Sequence, residues 1–132
     1  MASSIPVLSA TNRTGSDEWP SLRLYQRECG QQTFSVANLV YLQSETNYTW
    51  LNWKEGKRML MPRTLKFYEP KLPTQFFLRL HRNCLVNARY IVGVERDETG
   101  PYVLLTTGER LSISRRRWTT IKRMVESYTQ VN

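Results

Sequence analysis

Between Leu22 and Ser114 the chain is written mostly in period two, as short alternating runs cut by turn chemistry, and no other feature limits the fold as strongly. Alternation of this kind puts all apolar side chains on one side of a strand, whereas on a helix it would scatter them around the axis. Leu22–Gln26 and Gln32–Val36 flank Glu28-Cys29-Gly30, a hairpin signal, and Thr49–Trp53 and Lys57–Met61 flank Lys54-Glu55-Gly56, a second one. Leu39–Gln43 reads as a short apolar strand that Ser44–Asn47 breaks. In Phe77–His81 the side chains of Leu78 and Leu80 point one way and those of Phe77, Arg79 and His81 the other. Ile91–Arg96 and Tyr102–Thr106 bracket a turn at Asp97–Pro101. Arg110–Ser114 follows the Thr107-Gly108 turn, with Leu111 and Ile113 inward and Arg110, Ser112 and Ser114 outward.

Two stretches leave this pattern. Thr64 suits an N-cap, and Leu65, Tyr68 and Leu72 are spaced three and four apart before Pro73, which predicts a short helix. After Ser114, a second candidate cap, Trp118, Ile121, Val125 and Tyr128 form one stripe of a C-terminal helix, a core-packing stripe rather than a cofactor box. The sum is a mainly β domain of about eight strands with a small central helix and a C-terminal one. Residues 1–21 are rich in Ser, Thr, Asn and Pro without periodicity and read as a flexible leader, leaving residues 22–132 as a single domain.

Composition narrows the function. Apolar residues make up 40% of the 132, enough for a packed core, and 19 Lys and Arg against 11 Asp and Glu leave a net charge of +8. The excess is concentrated. Lys57–Val92 carries eight cations (Lys57, Arg58, Arg63, Lys66, Lys71, Arg79, Arg82, Arg89) and one acid, Glu69; Arg110–Arg123 carries six cations and none. The remainder is net acidic. Ordinary solvated surface explains many charge runs, but segregation this sharp favours a polyanionic partner. No apolar run approaches the roughly 20 residues of a membrane helix, and the N-terminus has no secretory pattern. Cys29 and Cys84 cannot form a disulfide framework, so a cytoplasmic protein is expected.

Catalytic and cofactor chemistry is poorly provided for. His81 is the one histidine, so no His-rich metal centre can be assembled, and the six glycines lie singly at turns rather than in a phosphate loop. Carboxylates are mostly scattered. A Cys84–His81 nucleophile pair is conceivable, three residues apart, yet Cys84 sits in the apolar Cys84-Leu85-Val86 run, where an inert buried thiol is expected. The expectation is a protein that is not an enzyme and binds no cofactor, metal or small-molecule substrate.

Three element ends are dense in polar and basic side chains: Ser44–Thr49, with Asn47, Tyr48 and Thr49; His81-Arg82-Asn83; and Ser114-Arg115-Arg116-Arg117. Long donors at element ends reach into a groove while a sheet holds their backbone. Arg forks onto guanine or phosphate, Asn pairs with adenine or phosphate, and a helix opening at Arg115 offers backbone N–H groups to an anion. Three arginines there oppose the helix dipole at about 0.3–1 kcal/mol each, a conflict that a bound anion removes and that simple solubilisation does not.

In these residues the chain resembles the LytTR-type DNA-binding domain of bacterial transcription regulators. The likeness rests on Leu39–Thr49, Leu78–Asn87 and Thr107–Arg116, in that order, and runs from about Leu22 to Val125; His81–Asn87 followed by Tyr90-Ile91 is its most specific phrase. The resemblance implies layered small antiparallel β-sheets with short helices. It also implies loops entering two successive major grooves and the minor groove between them. The groove-entering positions would be Thr49 with Asn47 and Tyr48, Arg82 beside His81, and Arg116 beside Arg115. Arg63 and Lys66 are phosphate candidates. His81 is open to two readings, a groove contact or a structural ring bonded to a backbone carbonyl, and Asn87 is expected to satisfy local backbone. Two features depart from the common pattern: the Arg82-Asn83 pair beside the histidine, and the want of a receiver domain ahead of this one, which leaves a piece of a larger regulator open as a reading. The expected partner is double-stranded DNA with repeated half-sites, two copies per operator. The rival readings are an RNA- or membrane-surface-binding module without sequence preference and a Cys84–His81 hydrolase.

Overall fold

The computed structural model describes residues 19–130. Residues 1–18 of the leader expected over 1–21 lie outside them. Residues Trp19–Ser21, assigned to that leader, instead belong to the folded domain: Trp19 stacks on Phe76 with ring centroids 4.5 Å apart, and the Pro20 carbonyl accepts the Val36 N–H at 2.9 Å.

Ten strands fall among the described residues: β1 (Ser21–Gln26), β2 (Gly30–Ser35), β3 (Leu39–Glu45), β4 (Tyr48–Trp53), β5 (Arg58–Met61), β6 (Phe77–His81), β7 (Cys84–Asn87), β8 (Ile91–Asp97), β9 (Gly100–Leu105) and β10 (Arg110–Ser112). Helix α1 (Leu65–Tyr68) extends by a 3-10 turn, Glu69–Lys71, and α2 (Trp118–Gln130) is preceded by a 3-10 turn, Arg115–Arg117. All pairings are antiparallel. β1 and β2 form a hairpin, β10-β9-β8 a three-stranded sheet, and β5-β4-β3-β7-β6 the central five-stranded sheet.

Two different clusters cover the central sheet, one across the face shared by all five strands and one over the opposite face of β3, β7 and β6 alone; on that side of β5, Leu60 is exposed. On one side Leu42 of β3, Leu51 and Trp53 of β4, Met59 and Met61 of β5, Phe77 and Leu85 pack against Leu22 and Leu24 of the hairpin and against Leu65, Tyr68 and Leu72. On the other, Val40, Tyr41, Leu78, Leu80, Cys84 and Val86 meet Ile91, Val103, Leu105, Leu111, Ile113 and the α2 residues Ile121 and Val125. Alternation along one strand therefore feeds two cores: in β6, Phe77 goes to the first while Leu78 and Leu80 go to the second. In β3 a register shift between Leu39 and Tyr41 lets Val40 and Tyr41 both face the second core.

The double burial explains the strand that alternation does not reveal. All four residues of β7, including Asn87, are buried, so the apolar Cys84-Leu85-Val86 run carries no polar face to betray its period. Asn87 is accommodated by bonds to backbone at both ends of its amide: Nδ2 donates to the Leu39 carbonyl and Oδ1 accepts the Arg89 N–H, each at 3.0 Å. The expected helices form where their apolar spacing places them. Ser114 caps the 3-10 turn leading into the second, its Oγ accepting the Arg117 N–H at 3.3 Å, whereas Thr64 sits at the first N-cap without a side-chain bond.

Candidate nucleic-acid interface

Antiparallel pairing sets several turns at one end of the central sheet. β3 and β7 are neighbours through Gln43↔Cys84, so the β3–β4 turn at Thr46-Asn47 lies beside the β6–β7 turn at Arg82-Asn83. A double latch joins them: the Ser44 N–H donates to the Asn83 carbonyl at 2.9 Å, and Ser44 Oγ donates to Asn83 Oδ1 at 3.0 Å. The third element end joins through β6, because the Ser114 N–H donates to the Leu80 carbonyl at 3.0 Å. Arg117 Nη1 reaches the Arg79 carbonyl at 3.4 Å. Segments far apart in sequence thereby share one rim.

Arg79 organises that rim, and sequence reasoning counted it only as one cation among eight. Its Nε donates to the His81 carbonyl at 3.0 Å, Nη2 to the Arg82 carbonyl at 2.8 Å, and Nη1 pairs with Glu69. One planar fork thus holds the backbone of the His81–Asn83 turn and neutralises the acid of that basic block. The available signal was an arginine on the outward phase of β6, two residues before the histidine.

The structure brings some of the expected site residues together and separates others. His81, Arg82, Ser114, Arg116 and Arg117 line one shallow cleft with Arg79 and Glu69. Asn47, Tyr48, Asn83 and Arg115 are exposed on the surrounding turns. Arg63 and Lys66 are exposed at the start of α1, outside that cleft; the Arg63 guanidinium lies 4.4 Å from the Phe67 ring centroid. At the β3–β4 turn Thr46 is held at φ 57°, a left-handed conformation that a β-branched residue seldom adopts.

Three expectations need correction. Thr49 does not reach a groove: it is 0% exposed, and its Oγ1 donates to the Arg63 carbonyl at 2.7 Å. It fixes the backbone that carries Arg63, leaving Asn47 and Tyr48 as the accessible part of that group. The His81 ring does not bond a backbone carbonyl; Nδ1 accepts the Asn83 N–H at 3.2 Å. That role requires an unprotonated Nδ1, and burial, reinforced by the Arg79 charge, pushes the imidazole below its ordinary pKa of 6.5. Finally, the helix opening is already partly occupied, since the Arg117 N–H is taken by Ser114.

The Cys84 thiol is poorly placed to act as a nucleophile with His81. Cys84 is buried in the second core, where loss of solvation pushes its thiol up to about 12. Among the described residues no three His, Cys, Asp or Glu side chains group to hold a metal, and no helix is long and apolar enough to cross a membrane.

A sheet whose β3, β7 and β6 are packed on both faces, and which presents arginines and amides on latched turns at one end, is built as a nucleic-acid-binding domain. The family model described as the LytTr DNA-binding domain matches residues 32–126, and the chain belongs to that family of DNA-binding domains. Among solved structures it is similar to the LytTr DNA-binding domain of a methyl-accepting/DNA response regulator from Bacillus cereus. That likeness has a TM-score of 0.67 at 22% identity, covering 80% of this chain and 95% of that one, and it shows the shared fold. No curated protein matches.

Proposed function

We propose that the chain is the sequence-specific duplex-DNA-binding part of a bacterial transcription regulator, with its turns entering successive grooves of the double helix. The observation that carries this reading is the latch between Ser44 and Asn83, which holds two exposed turns at fixed spacing beside the arginine-bearing Ser114–Arg117 segment. Fixed spacing between donors is what base readout needs; a purely electrostatic partner does not.

In this reading Arg82 and Arg116 are the base-edge donors, with Asn47 and Tyr48 on the neighbouring turn. Asn83 gives its carbonyl oxygens to Ser44, leaving its amide nitrogen toward the DNA. Arg63, Lys66, Arg115 and Arg117 meet phosphates and supply salt-sensitive affinity. Thr49, His81 and Ser114 position the others. A module of this size covers little DNA alone, so two copies on repeated half-sites are the expected occupied state.

The test is selection of bound duplexes from a fully degenerate pool at low ionic strength. A recovered motif occurring as a spaced repeat is expected. Arg82→Ala and Arg116→Ala should each weaken binding to it by about 1–3 kcal/mol while relaxing preference at particular base pairs. Binding that proves indifferent to duplex sequence, or equal for single-stranded RNA or anionic vesicles, would refute the proposal.

A further inference from the structure

Strand β1 is paired on one side only. The Val36 N–H bonds the Pro20 carbonyl, so in the β1–β2 register the amides of Leu22, Leu24 and Gln26 serve the ladder. Those of Ser21, Arg23 and Tyr25 then point away from it. Ser21–Tyr25 border a groove, with Gln31 of β2 at its edge and, across it, Arg63, Phe67 and Tyr68 of α1 and its lead-in and Lys71 of the following 3-10 turn. The Arg63 and Lys71 cations lie 4.4 and 4.7 Å from the Phe67 ring centroid, and Tyr25 is 64% exposed. The lining holds three cations and no carboxylate among the described residues.

We propose that this groove receives an extended acidic peptide segment of a partner protein, added as a strand along the free edge of β1. Main-chain bonds to the Arg23 and Tyr25 amides would supply affinity, and alternate side chains would supply selectivity. Carboxylates on one face meet Arg23 and Lys71, while apolar groups lie against Tyr25 and Phe67. A two-stranded ribbon gains more from a third strand than a wide sheet does, since each of its strands is an edge. A second copy of this chain is a poor occupant: antiparallel pairing of two β1 edges about Arg23 would set like charges opposite one another. The proposal does not depend on the DNA-binding reading.

The experiment uses the full 132-residue chain, an acetylated peptide alternating Glu and Val, and a peptide of equal length alternating Lys and Val. Amide exchange is followed residue by residue by NMR. The Glu-Val peptide is expected to slow exchange at Arg23 and Tyr25 by roughly tenfold or more, and the Lys-Val peptide to leave both unchanged. Arg23→Glu combined with Lys71→Glu, both exposed positions, should weaken Glu-Val binding by roughly tenfold or more with the thermal midpoint preserved. No binding at the highest soluble peptide concentration overturns the proposal, as does binding that spares the two amides, survives charge reversal or is matched by the Lys-Val peptide. It is overturned too if removing residues 1–18 abolishes protection already present in the free chain, because the occupant is then the chain's own segment. Protection of the same amides by duplex DNA would place the groove in the DNA footprint and overturn it likewise.

Discussion

Replacing Arg79 by lysine keeps the charge at the rim and removes the fork. The guanidinium donates to the carbonyls of His81 and Arg82 at 3.0 and 2.8 Å while pairing with Glu69. A lysine ammonium on its flexible stem reaches one of these carbonyls at most. Charge-assisted bonds lost from a dry interior cost about 1.5–3 kcal/mol each; at this half-buried position about 1 kcal/mol each is the fitting scale. The Glu69 pair adds about 0.2–1 kcal/mol, because the side chains are 23% and 42% exposed and water screens them. Arg79→Lys should therefore cost about 1–2 kcal/mol in total. The two carbonyls lie on the His81–Asn83 turn, so most of this loss falls on the order of that turn. A DNA site that must be read by the turn then pays the ordering again on binding. Affinity for a duplex selected from the degenerate pool should fall about tenfold, tenfold being 1.4 kcal/mol. Affinity for a scrambled duplex, and the slope of affinity against salt, should hold, because the number of cations is unchanged. Fluorescence anisotropy on both duplexes across a salt series, with urea melts alongside, separates the terms. Wild-type affinity for the selected duplex would show that Arg79 contributes charge and not position, and an equal loss on the two would show that it does not act through sequence readout.

Three further outcomes are expected. Thr49→Val, which keeps the shape and strands the Arg63 carbonyl, should lower stability by about 1–3 kcal/mol in urea. A Thr49→Val protein of unchanged stability that has nonetheless lost its selected duplex would return Thr49 to the groove. The His81 imidazole is held below its ordinary 6.5 in the folded chain by burial and then by Arg79, so below 6.5 the unfolded state takes up the proton more readily. Stability should thus be flat above that pH and fall as pH drops towards the depressed folded value, and His81→Gln should remove that part of the slope in pH-dependent urea melts. With a thiol-specific chromogenic reagent, native protein should react at the exposed Cys29 and denatured protein at Cys84 as well; fast labelling of Cys84 in the native state would contradict its burial.

How much of this was legible depends on how local the signal is. Hairpins β1–β2 and β4–β5 announce themselves because alternation and turn residues lie within a few positions of each other. The α2 stripe of Ile121 and Val125 is equally local. β7 escapes because burial on both faces erases its alternation, and Trp19 because one aromatic in a polar leader gives no hint of the Phe76 ring it stacks on. The candidate site shows the same division. Its basic turns can be picked out one by one, but their meeting depends on Ser44 bonding Asn83, 39 positions away, and Arg117 reaching Arg79, 38 away. Thr49 illustrates the cost of reading roles from a motif. Its place in the resemblance is at the groove, while its side chain is enclosed where β4 pairs with β5.

Strands β3, β7 and β6 commit both of their faces to packing, which leaves their ends as the places where substitution disturbs the cores least. If the turns read DNA as proposed, recognition can change at those ends while the cores stay as they are. The Ser44–Asn83 crosslink adds a condition, because a change in one turn alters the footing of the next. New specificities should arise by exchanging both turns as a set, and a transplant of either alone should yield a well-folded protein with blurred preference.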